Sequence, residues 1–141
     1  MAMVTARTEQ NYHLTGFGTD IRDLPITRQS SLREVMAVLR ESTYGGTDCA
    51  IPILHALHQG WNTIDGFAIY TDNDTWGGRV HPKTALEQYR ERTGMNARLV
   101  SVSMLANNTT IADGSVPWMF DFVGMSTDTP RQVGMYLKGD I

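Results

Sequence analysis

The stretch FAIYTDNDTWGG, Phe67–Gly78, constrains the fold more than any other part of the chain. It opens as a strand of the buried type, Phe67–Thr71, and then breaks abruptly into acid, amide and acid at Asp72, Asn73 and Asp74 before a glycine pair. Carboxylates placed at the carboxyl end of a hydrophobic strand risk desolvation, so they need a cap, a turn or a ligand to serve. Helical patterns lie on both sides of this strand. Strands separated by helices imply a mostly parallel sheet covered on both faces.

The elements around it follow from local signals. Met1–Glu9 has the spacing of the end of a helix, with Met1, Val4 and Thr8 on one face. Tyr12–Phe17 alternates as a strand, and Asp20–Leu24, followed by Pro25, reads as a turn or short edge strand because proline lacks a ladder donor. Ser31-Leu32-Arg33-Glu34 is a capping box, and Leu32, Val35, Met36 and Leu39 then form one apolar helix face. After Tyr44-Gly45-Gly46, Thr47-Asp48 caps a second helix with Pro52 in its first turn, Ile53, Ala56 and Leu57 inward, and Gly60 at its end. Ile64–Thr71 is the strand of the opening stretch. His81-Pro82 starts a helix with Ala85, Leu86 and Tyr89 inward and Gly94 past its end. Arg98–Met104 and Trp118–Val123 are strands, and Pro130–Leu137 is a closing helix. The expected fold is an open, mostly parallel α/β sheet with helices on both faces.

Bulk properties narrow the function. A chain of 141 residues is the size of one domain, and 19% charged residues is ordinary for a globular one. The apolar runs are too short to span a membrane, and the first residues lack the layout of a secretory signal. The single cysteine, Cys49, suits a reducing compartment, so a cytoplasmic location is expected. With a net charge of −3 and arginines scattered among acids, the domain lacks the basic footprint of a nucleic-acid binder acting alone.

In open α/β sheets ligands gather beyond the carboxyl ends of the strands. Asp72 falls there, and Thr47, behind paired glycines at a helix start, is a second oxygen donor of the kind such a loop presents. Both suit a hard cation such as Mg²⁺, which takes six oxygens, several of them waters. Turn and cap roles compete: Asp74 reads as a turn former, and Asp48 as a cap. An enzymatic alternative uses Asp72 and Asp74 as the D-x-D pair of a haloacid-dehalogenase-type phosphohydrolase. There Trp76 stands where that motif has Thr or Val, and Lys138-Gly139-Asp140 would have to supply the later Lys and acid. His55 and His58 share a helix face without a third ligand in register, and Cys49 with His55 lacks an orienting group. The methionines read as core filler, and Trp61, Trp76 and Trp118 are too dispersed for a stacking platform.

Gly45-Gly46-Thr47-Asp48-Cys49-Ala50-Ile51-Pro52, Tyr70 to Trp76, His81-Pro82 with Ala85-Leu86 and Tyr89-Arg90, Ala97 to Val100, Ile111-Ala112-Asp113 and Phe122-Val123-Gly124 occur in order and evenly spaced. With Ala6-Arg7-Thr8-Glu9 they span nearly the whole chain. This set resembles the C-terminal von Willebrand factor A domain of the Ro (TROVE) RNA-binding proteins. The resemblance implies that residues 1–141 are a partial von Willebrand A-like domain. It makes Thr47 and Asp72 two members of a metal-ion-dependent adhesion site whose D-x-S-x-S motif is absent from the sequence. Mg²⁺ would then bind only if another segment or chain supplied the missing central strand. The implied role is a non-enzymatic interaction module of a ribonucleoprotein that binds small noncoding RNA in RNA quality control. The RNA would be held elsewhere in the particle, and a protein partner or companion chain would complete the sheet. A purely structural component of a larger particle is the remaining alternative.

Overall fold

Residues 1–41, 46–71, 78–104 and 111–141 are described by the structure, a computed structural model. In chain order the elements are α1 (Ala2–Thr8), β1 (Thr15–Phe17), β2 (Ile21–Asp23), α2 (Leu32–Glu41), α3 (Ile51–Gln59), β3 (Gly66–Thr71), α4 (Pro82–Thr93), β4 (Arg98–Ser103), β5 (Met119–Val123) and α5 (Thr129–Lys138). β3, β4 and β5 form a parallel sheet in that spatial order, with Gly66 opposite Arg98, Thr71 opposite Ser103, and Leu99 opposite Met119.

Both faces of this sheet carry helices, one covered throughout and the other over its middle strand, with Ala68 and Phe120 left exposed on that side. On one face Phe67, Ile69, Leu99 and Met119 pack with Ile53 and Ala56 of α3 and with Ala85, Leu86 and Tyr89 of α4. On the other, Val100 and Val102 pack with Val133 and Tyr136 of α5. The middle strand β4 is buried at every position from Leu99 to Ser103. Its two serines are tolerated there because polar partners are at hand: the Ser103 hydroxyl lies 3.5 Å from the Phe122 carbonyl, and Ser101 bonds the Asp121 carboxylate.

The first strand departs from the sequence reading. Thr15–Phe17 does not join the parallel sheet; it pairs antiparallel with Ile21–Asp23 in a two-stranded sheet of their own. The reason is the connection. Gly18–Asp20 is hairpin length, whereas a parallel neighbour needs a crossover of a dozen residues or more. The Gly18 amide donates to the Asp20 carbonyl at 2.8 Å, and the Asp20 carboxylate accepts from the Ile21 amide at 2.8 Å, closing the turn.

The helix signals fare differently at their starts and on their faces. The capping box forms as expected: the Ser31 amide donates to Glu34 Oε2 at 2.7 Å and the Glu34 amide to Ser31 Oγ at 3.2 Å. These bonds to Ser31 hold the Glu34 carboxyl below its ordinary pKa. Of the apolar face that follows, Val35 is buried against Ala6 and Ile26, but Leu32, Met36 and Leu39 are 62%, 43% and 45% exposed. The second helix begins at Ile51, later than Thr47-Asp48 suggests. Asp48 instead closes the preceding turn, its Oδ1 accepting from the Ala50 amide at 3.0 Å. His81 caps α4 with Nδ1, and Gly60 and Gly94 end α3 and α4 in the left-handed conformation.

Tyr89 ties α4 to the segment that leads into β3. Its ring is buried edge-on against Phe67, and its hydroxyl accepts from the Ile64 amide at 3.0 Å while donating to the Trp61 carbonyl. Removing that oxygen orphans an amide and a carbonyl at once. Tyr89→Phe is expected to cost about 1–3 kcal/mol of unfolding free energy in urea denaturation, with an unchanged slope. A neutral result would show that water takes over both groups.

Candidate functional site

The rim at the carboxyl ends of the strands is built by the starts of two helices and the strand ends between them. α3 leads into β3 and α4 leaves it, so both helix N-termini face this side. Thr47 is half-buried in the segment before α3. That segment is wedged between two neighbours. On one side the Asp48 amide donates to the Gly18 carbonyl at 3.1 Å, binding it to the β1–β2 hairpin. On the other side it meets the residues that precede α4. A Cβ added at Gly78 would sit 2.5 Å from the Asp48 carboxyl, a distance no side chain tolerates, so glycine here permits the approach of the two loops.

The structure thus brings the Thr47 segment against the far end of the loop that follows Thr71. Asp72 and Asp74 lie outside the described residues, as do Asn73 and Trp76. Carboxylates on the described rim already have partners. Asp48 serves the Ala50 amide. Asp113 binds the Lys83 ammonium at 2.7 Å and accepts from the Ser115 amide at 2.9 Å. The Lys83 bond first, then the Ser115 bonds, hold the Asp113 carboxyl far below the usual carboxylate range, and Asp113 in turn raises the Lys83 pKa. Asp121 is the opposite case: burial pushes its pKa up, although the Ala112 amide at 3.3 Å and Ser101 donate to it. These bonds fasten residues 111–115 to α4 and β5.

A metal needs more than this set. Among the described residues no three His, Cys, Asp or Glu side chains converge. The Thr47 hydroxyl alone does not fit a six-oxygen Mg²⁺ shell.

Other sequence candidates resolve into packing. His55 stands edge-on to Trp61, whose opposite relation is a parallel stack on His13 with ring centroids 3.7 Å apart. Its Nε2 is 3.8 Å from Asp23 Oδ1, and His58 is exposed. Cys49 is buried in the main core. The two described tryptophans, dispersed in sequence, do stack, but on their own chain: Trp61 on His13, and Trp118 under the Arg90 guanidinium at 4.5 Å. No spacing rule links His13 to Trp61, which is why the sequence reading missed it. Lys138 and Gly139 end α5, and a Cβ on Gly139 would lie 3.3 Å from the guanidinium of Arg98, the first residue of β4. Lys138-Gly139-Asp140 therefore sits at the amino ends of the strands, across the sheet from the position that Asp72 follows, where a phosphohydrolase would not find it useful.

The Ro60 vWA domain profile matches residues 1–136. The chain belongs to this family. It is 36% identical over 141 residues to the RNA-binding protein RO60 of Deinococcus radiodurans, covering all of this chain and 26% of that protein. It is 32% identical over 142 residues to the RNA-binding protein RO60 of Caenorhabditis elegans, covering 22% of it. The crystal structure of the Deinococcus radiodurans RO (RSR) protein superposes with a TM-score of 0.89 at 36% identity, over 99% of this chain and 28% of that one. This Ro60 vWA chain thus spans about a quarter of the length of the relatives it matches.

Two measurements probe the rim. Gly78→Ala should force the Asp48 carboxylate off the Ala50 amide and cost about 1 kcal/mol, the usual value of such a cap; Asp48→Ala should cost the same, and the double variant no more than either. Additive losses would show that the two loops are not coupled. For Asp113 the folded pKa is depressed, so its stabilisation is present above the unfolded pKa and is lost as pH falls. Asp113→Asn should therefore lower the melting temperature at pH 7, with the gap to wild type closing steadily below about pH 4. A gap that is independent of pH would remove the ion pair as its cause.

Proposed function

We propose that this chain acts without catalysis, as an interaction module of a Ro-type ribonucleoprotein that handles small noncoding RNA in RNA quality control. The observation that carries this reading is the family match over residues 1–136, with relatives named RNA-binding proteins. The RNA would be held mainly by the remaining three quarters of such a protein. No described helix is long and apolar enough to cross a membrane, and a cytoplasmic location fits a buried, reduced Cys49.

The proposed contact of this module is a further strand, from a companion chain or another segment, added beside β3. Two features support it. Among the described residues β3 has a neighbour on one edge alone, and Ala68 in its middle is exposed. An apolar sheet edge left in water is a template for pairing. Thr47 and Asp72 would then complete a Mg²⁺ shell together with the oxygens that strand brings. Without it they form a remnant site.

Isothermal titration with MgCl₂ tests the metal part. The chain alone should show no binding tighter than millimolar, because too few protein oxygens offset the dehydration of the ion; micromolar binding would overturn the remnant-site reading. Sedimentation tests the strand part. A monodisperse monomer with a single cooperative melt would count against the need for an added strand, and self-association or capture of a partner segment would support it.

A further inference from the structure

The hairpin of β1 and β2 meets α3 at both of its ends. At the turn, the Gly18 carbonyl accepts from the Asp48 amide, just ahead of that helix, at 3.1 Å. At the base, side chains from four segments come together: His13 ahead of β1, Asp23 at the end of β2, His55 midway along α3, and Trp61 just past that helix. His13 lies flat on the Trp61 ring with centroids 3.7 Å apart, and His55 meets the same ring edge-on at 5.3 Å. The contact at the turn is a complete main-chain bond. The contact at the base is unfinished: His55 Nε2 is buried without a hydrogen-bond partner among the described residues, 3.8 Å from Asp23 Oδ1.

That separation is too long for a hydrogen bond, so a ring nitrogen sealed from water has lost its solvation with nothing in return. Protonation changes what the atom needs. A buried imidazolium N–H without an acceptor costs more than a neutral nitrogen, so the ring must either meet the carboxylate or move out. The carboxylate is the freer of the two. The Asp23 side chain is 72% exposed and has no other partner among the described residues, whereas that of His55 is 19% exposed and packed on Trp61. A movement of about 1 Å brings Oδ1 to charge-assisted bonding distance. The charged groups of the neighbouring elements do not oppose it. β1 carries none, and strand alternation sets the exposed Arg22 of β2 on the other face of the hairpin from Asp23. α4 packs on α3 through Ala85, Leu86 and Tyr89, while its Lys83 is held by Asp113 and its Arg90 lies over Trp118. On α3 itself His58 is exposed, one turn beyond His55, and His13 shares the indole.

We propose that His55 and Asp23 form a proton-dependent clasp: when the imidazole gains a proton, Asp23 closes onto Nε2 and pins the base of the hairpin to α3. Histidine is the side chain whose ordinary titration falls between pH 5 and 8, so the clasp works across that range. The bond exists only with the charged ring. Its stabilisation is therefore present at the acidic end and is lost as pH rises. The same hairpin is tied at its turn to the segment that carries Thr47, so its base steadies one flank of the carboxyl rim. This goes beyond the interaction-module reading and stands without it.

The test compares the 141-residue chain with Asp23→Asn, which removes the carboxylate at an exposed position, by amide hydrogen exchange at about pH 5.5 and about pH 8 with the intrinsic rates divided out. The reporter is Leu24, whose amide donates to the Leu14 carbonyl at 2.7 Å beside Asp23. In the parent chain its protection should be about threefold greater at the lower pH, the scale of a single partly exposed ion pair. In Asp23→Asn that difference should vanish, with the melting temperature at the higher pH unchanged. His13, His58 and His81 are common to both chains, so their own titration cancels in the comparison. His13→Phe keeps a ring on Trp61 without a titrating group and should retain the response. Weaker protection at the lower pH would mean that protonation expels His55, and it overturns the proposal. So does an undiminished response in Asp23→Asn, or a response lost in His13→Phe.

Discussion

The buried backbone of β4 sets the terms for the rest of this domain. With β3 on one edge, β5 on the other, α3 and α4 on one face and α5 on the opposite one, its residues from Leu99 to Ser103 have no access to water. A strand in that position can keep its polar groups only by pairing them. Parallel pairing then forces a long crossover from β3 to β4, which starts α4 on the carboxyl rim and ends it at the amino rim; α3, leading into β3, also starts on the carboxyl rim, and α5, leaving β5, ends at the amino rim. The candidate site lies at the carboxyl rim for this reason.

The rims differ in their chemistry. At the carboxyl rim, Asp48 serves the Ala50 amide and Asp113 the Lys83 ammonium, while Asp121, in the middle of β5, accepts from Ala112 and Ser101. At the amino rim, the Arg90 guanidinium lies over Trp118, and the Arg98 guanidinium lies beside the Tyr136 ring and donates to the Tyr136 and Ile141 oxygens.

The exposed faces carry a further consequence of the topology. Leu32, Met36 and Leu39 on α2 and one edge of β3 are apolar surfaces of the kind a sheet of this class normally buries.

Local chemistry made much of this legible in advance. The capping box at Ser31, the proline starts of α3 and α4, the glycine ends at Gly60 and Gly94, and the order of strands and helices all depend on neighbours within a few residues, so sequence alone determines them. The parallel sheet followed from that order, and the family followed from motifs spread along the chain. Tertiary structure alone decided the rest. It separated Thr15–Phe17 from the main sheet, turned three of four residues of the α2 stripe to solvent, pressed Asp48 onto Gly78, and set Arg90 over Trp118. Each of these depends on which distant segment arrives next to a residue, and periodicity records that a face is apolar without recording what will cover it.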